Sequence, residues 1–191
     1  MFSGTELTAH GERGAARERS LSFALRAARI AGFAGLVALG AHAKVFLPWS
    51  PVPFTLQTFF VLLAGAFLSP AEAASAVAGY LALGALGVPL FATGGPAGLA
   101  YFLGVTGGYL AGFLAAAVLL SLAVRRFERP VAVAASFLGG ALLILAFGSF
   151  HLSLVTGLSA GKALSLGALP FLPGDVLKAG LAAVLYLRLR G

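Results

Sequence analysis

Residues 130–150 read PVAVAASFLGGALLILAFGSF, 21 positions without one charged side chain. This run constrains the fold more than any motif. A helix of about 20 apolar residues covers the ~30 Å hydrocarbon core of a bilayer. Within hydrocarbon every backbone N–H and C=O must be satisfied by protein, so the segment has to be helical. Similar stretches lie at about 27–47, 71–91, 99–124 and 172–189, and a shorter one at about 53–68. With 131–153 they make six. Pro48, Pro51, Pro53, Pro70, Pro89, Pro130, Pro170 and Pro173 fall at or near the breaks, where proline interrupts least. A chain of 191 residues that is 60% hydrophobic and 10% charged lacks the polar surface of a soluble domain. The expected architecture is an all-α integral membrane protein, with a flexible polar tail over 1–25 and a six-helix bundle over 26–191.

The formal charge of +7 does not form a nucleic-acid footprint, because the basic residues sit at the ends of apolar runs. Arg13, Arg17, Arg19, Arg26 and Arg29 precede the first run. Arg125, Arg126 and Arg129 separate the fourth from the fifth, and Arg188 and Arg190 follow the sixth. Six crossings put all ten on one side, which the positive-inside rule makes cytoplasmic, with both termini there. The absence of cysteine excludes disulfides, thiolate metal sites and a Cys nucleophile. Glu6, Glu12, Glu18, Glu72 and Glu128 lie at cytoplasmic or terminal positions, and His42 and His151 stand apart. No catalytic set and no metal site is expected. Ala41-His42-Ala43 imitates a signal-cleavage site, but five further apolar runs favour an uncleaved helix. GLSAGKA at 157–163 imitates a phosphate loop, yet its glycines are one residue too close and Ala163 stands where Ser or Thr is needed. Any nucleotide motor must therefore come from another chain.

Three features remain to be explained. Asp175 and Lys178 share a helix face in the sixth run, and an ionised group well inside a span costs about 2.5–3.5 kcal/mol even on the lenient insertion scale. The pair reads either as a self-neutralising cap or as a ligand site. Residues 84–112 hold nine of the 26 glycines. These fit tight turns and close helix packing, or backbone approached by a ligand. Ala27, Ala31 and Gly35, with Ala34 and Ala38 alongside, give the first run a small-residue face. That face serves packing within the bundle or docking of another membrane protein.

Four ordered segments carry a resemblance that covers about residues 27–190. VPFTLQT at 52–58 is similar to the VPxTLQT signature of the BioY family, the biotin-specific substrate-binding (S) components of energy-coupling factor (ECF) transporters. YLALGALGVP at 80–89, GVTGGYLAGF at 104–113 and FLPGDVLK at 171–178 follow in the family's order. Two positions depart from the pattern: Val105 replaces the proline of GPTGGY, and Glu72 sits in a turn that is usually basic. The resemblance implies an S-component bundle in the bacterial cytoplasmic membrane, with biotin as transported ligand and no cofactor. Its partners would be a transmembrane coupling subunit, docked through Ala34-x-x-x-Ala38, and an ATPase pair that consumes the ATP. Asp175 and Lys178 would meet the ureido group of biotin. Gly94, Gly95 and Tyr109 would close the cavity, Tyr101 or Tyr109 would wall it, and Gln57 would contribute a polar group or stitch spans one and two together. An S component for thiamin or riboflavin, a small channel and an intramembrane enzyme are the alternatives. The first should lack the Asp-Lys pair, the second needs a continuous polar stripe, and the third needs a convergent catalytic set.

Overall fold

The computed structural model describes residues 4–92 and 98–190, with side chains from Arg17 onward. Among the described residues, eight helices and one small hairpin follow in order: α1 (Gly4–His42), β1 (Lys44–Phe46), β2 (Pro53–Thr55), α2 (Gln57–Phe67), α3 (Pro70–Ala85), α4 (Ala100–Leu103), α5 (Gly107–Arg126), α6 (Pro130–Thr156), α7 (Ala160–Gly167) and α8 (Leu172–Arg190). The segment Arg17–His42 of α1, together with α5 and α6, is long and apolar enough to cross a membrane. Helices α7 and α8 make a fourth such unit, bent by 57° at the intervening break. At 11 and 16 residues, α2 and α3 extend only about 17 and 24 Å at 1.5 Å per residue, short of the hydrocarbon thickness.

Several boundaries differ from the sequence reading, each for a local reason. Helix is continuous from Gly4, where a flexible tail is expected, in a segment rich in the helix formers Ala, Arg and Glu. The first span stops at His42 rather than near Leu47. Lys44, Val45 and Phe46 pair antiparallel with Thr55, Phe54 and Pro53, so the bundle is not purely helical. Pro53 at the start of β2 removes one ladder donor at an edge that has no further strand. The third span ends at Ala85 because Gly87 turns the chain with φ of 94° ahead of Pro89. The fourth is broken at Gly104, whose backbone is extended, into α4 and α5.

Helix α3 starts at a capping box. Glu72 N–H donates to Ser69 Oγ at 3.4 Å, and Ser69 N–H donates to Glu72 Oε2 at 3.0 Å. Glu72 also lies 3.9 Å from Arg29 and 4.0 Å from Arg26, which accounts for an acid in a turn expected to be basic. Ser69→Ala should cost about 1 kcal/mol and lower the midpoint of thermal unfolding in detergent by about 2–4 °C.

The core lies in two groups of side chains. Leu62, Leu120, Val133 and Phe137 pack against Ala179, Ala182 and Ala183 of α8 towards one end. Val61, Tyr80, Phe91, Tyr109, Phe113 and Ile144 form the second group, around the hairpin end. Outward faces are apolar as well: Leu119, Leu142, Phe150, Leu154, Leu177 and Leu181 are all exposed. A surface of that kind suits lipid rather than water. The basic clusters meet at the end away from the hairpin. Arg29 and Arg125 donate to Phe67 O and Leu68 O at 2.6 and 3.1 Å, and Arg190 donates to Phe127 O at 3.4 Å.

Candidate functional site

The break between α7 and α8 places the charged pair. Pro170 cannot continue α7, and Pro173 occupies the first turn of α8, where its missing N–H costs nothing. Asp175 therefore stands in the first turn of α8 with Lys178 one turn on, both turned inward and 4% and 7% exposed. Lys178 Nζ donates to Asp175 Oδ1 at 2.8 Å and to the carbonyl of Thr55 on β2 at 2.7 Å. The same ammonium lies 3.5 Å from the centre of the Phe54 ring. The other carboxylate oxygen of Asp175 takes no hydrogen bond from any described residue.

Beside this pair is a small cavity of about 50 Å³. Its polar edge is Thr55, Gln57, Thr58, Thr106, Asp175 and Lys178; its walls are Tyr101, Tyr109, Phe113, Ile144 and Phe171 among others. The ion pair is thus not turned to lipid, and it borders a void. Such an arrangement can accept a hydrogen bond from a ligand N–H and offer a cation to a ligand oxygen, against aromatic and aliphatic walls.

The structure brings Asp175, Lys178, Gln57, Tyr101 and Tyr109 together around this cavity. Gln57 Nε2 donates to Tyr80 OH at 2.7 Å, so it stitches α2 to α3 and not the first span to the second. Tyr101 donates to Ala92 O at 2.9 Å and stacks on Phe91 with centroids 4.6 Å apart. Tyr109 donates to Gly167 O, tying α5 to the end of α7. Gly94 and Gly95 lie outside the described residues. His42 and His151 each hydrogen-bond a backbone carbonyl, Ala38 O and Gly104 O, and do not line the cavity. Lys44 lies over Phe46 on the hairpin and also does not line the cavity. Ala34 and Ala38 are likewise not at the cavity. Ala38 is turned into the core at 8% exposure. The outward small face of α1 is Ala27, Ala31 and Gly35, with Ala34 half-buried at its edge; Ala38 lies on the same side a turn further along, where it packs into the core. Phe54, Thr55 and Phe171 were not singled out from the sequence, although two of them stand inside VPFTLQT.

Apolar helices of membrane-crossing length around an inward ion pair define an integral membrane protein, with a fold already known among transport components. A crystal structure at 2.1 Å of the S-component for biotin from an ECF-type ABC transporter is similar over 88% of this chain and 92% of its own, with a TM-score of 0.79 and 28% identity. The chain belongs to the BioY family, whose family model matches residues 14–191. Among curated relatives, the biotin transporter BioY of Thermotoga maritima is 39% identical over 158 residues, which cover 83% of this chain and 91% of the relative. The probable biotin transporter BioY of Pyrococcus horikoshii is 38% identical over 162 residues, 85% of this chain and 94% of the relative.

Proposed function

We propose that this chain binds biotin in the cavity beside Asp175 and Lys178 and delivers it across the cytoplasmic membrane as the S component of an ECF transporter. The observation that carries this reading is a buried ion pair at the edge of a void, whose second carboxylate oxygen takes no hydrogen bond from any described residue. Two charges in an apolar bundle are costly, and a cap alone would not need Lys178 to reach 123 residues back to Thr55. The fused rings of biotin pack among Tyr101, Tyr109, Phe113 and Phe171. One ureido N–H donates to Asp175, and the ureido oxygen faces the Lys178 ammonium.

Topology follows the charges. The arginine-bearing ends of α1, α5 and α8 meet at one end of the bundle and are assigned to the cytoplasm by the positive-inside rule. Both termini lie there, with α1, α2, α3, α5, α6 and α8 as the six crossings. The short α2 and α3 complete their passage with the hairpin and the 86–91 segment. The cavity then opens toward the outside. Ala27, Ala31, Gly35 and Ala34 offer the coupling subunit a close helix approach, and its ATPase pair energises release inward.

A competition assay on purified protein with labelled biotin tests the ligand. Desthiobiotin, which keeps the ureido ring, should compete. Lipoate, which keeps a sulfur ring and the acid tail but has no ureido group, should not, and neither should thiamin or riboflavin. Competition by lipoate at concentrations comparable to biotin would refute recognition through the ureido group.

A further inference from the structure

We infer that Phe54 is a positioning residue for the cavity: the face of its ring holds the Lys178 ammonium against Asp175 in place of water. The inference rests on the reading of this cavity as the biotin site. An ammonium carries three N–H donors and is strongly hydrated in water. In this bundle two donors are met by Asp175 Oδ1 at 2.8 Å and Thr55 O at 2.7 Å. Another side of the charge faces the Phe54 ring, with Nζ 3.5 Å from the centroid, well inside the range in which a cation is drawn to an aromatic face, while the rest borders the cavity.

The ring is held so that it can do this. It stands near-parallel to Phe171, with centroids 6.1 Å apart and planes 9° apart. A side chain at Gly174, one residue before Asp175, would run into the Phe54 ring, so glycine there leaves the space that the ring fills. Backbone pairing of Phe54 with Val45 fixes it from the hairpin side. The hairpin is anchored in turn by Leu56 N–H, which donates to Gly40 O and Ala43 O at the end of α1. Phe54 thus contributes electrostatic placement, not only apolar bulk. Placement matters because an ammonium drawn away from this point neither keeps Asp175 aligned nor faces the ligand oxygen.

Fluorinated phenylalanines separate the two contributions, since successive fluorines drain the ring face of negative potential while nearly preserving its shape. With mono-, di- and trifluorophenylalanine introduced at position 54 of the full chain, the Kd for labelled biotin should climb with each fluorine. It should reach about 5- to 30-fold above wild type for the trifluoro variant. Phe54→Leu should weaken binding at least as much, and thermal unfolding in detergent reports whether each variant is folded. A flat Kd across the fluorine series overturns the inference even if Phe54→Leu binds poorly. Asp175→Asn measured alongside separates the failures. Wild-type affinity in that variant defeats the biotin site itself, whereas lost binding there with a flat fluorine series defeats only the role of Phe54.

Discussion

Asp175→Asn should raise the Kd for biotin by about 100-fold or more, because a ligand N–H loses a charged acceptor while Lys178 is left buried without its counter-ion. The same change should reduce stability by about 3–5 kcal/mol, the usual consequence of breaking one partner out of a buried pair. Both effects appear together in the single variant, so a second variant separates them. Asp175→Asn combined with Lys178→Met removes both charges, and replacement of a buried pair by neutral groups of similar volume is often close to neutral for stability. The double variant should therefore unfold near the wild-type temperature and still fail to bind labelled biotin. Wild-type affinity in the double variant would show that the charges serve the fold alone.

Gly108→Val is expected to act on the packing of the bundle itself. A Cβ at Gly108 would run into His151 Cβ and the carbonyl of Phe147 on α6. One turn further along α5, a Cβ at Gly112 would come within 3.0 Å of Ile144 Cα. The two backbones are therefore in near contact along this seam, as small residues permit between helices in lipid. Overpacking there should cost about 3 kcal/mol and lower the unfolding midpoint by about 6–12 °C. Because Tyr109 is the next residue and walls the cavity, biotin affinity should fall as well. Gly79→Ala is the control: its Cβ meets nothing within 4 Å inside α3, so biotin affinity should stay at wild type and the unfolding midpoint should stay level or rise by about 1–4 °C.

These glycines show what could be read from the chain and what could not. Their crowding between positions 84 and 112 was visible, and both explanations for it were open. The structure assigns Gly108 and Gly112 to helix packing, a choice that depends on which face of α6 lies opposite and so on tertiary contacts. The apolar run at 131–153 gave α6 to within three residues at either end, since span length is set by the bilayer. The run at 99–124 gave the end of α5 but not its start, which the break at Gly104 displaces to Gly107. The hairpin was hidden because three-residue strands carry too little periodicity to be told from the end of an apolar run. Asp175 and Lys178 were legible because charge is conspicuous in an apolar segment. Their third partner was not, because Thr55 contributes a backbone carbonyl, which has no signature in side-chain identity. Phe54 was invisible for a related reason: one phenylalanine among 16 is distinguished only by what lies over its face.

The arginines that turn their guanidinium groups to the end of α2 bear on how the chain matures. Carbonyls that end a helix within lipid need donors, and those of Phe67 and Leu68 obtain them from Arg29 upstream and from Ser121 and Arg125 downstream. Arg125 is 57 residues beyond Leu68. During synthesis α2 therefore emerges well before its last donors exist, and a segment of 11 residues is ill suited to wait in hydrocarbon alone. Exchanging these arginines would therefore also remove the donors that clasp the end of this short helix.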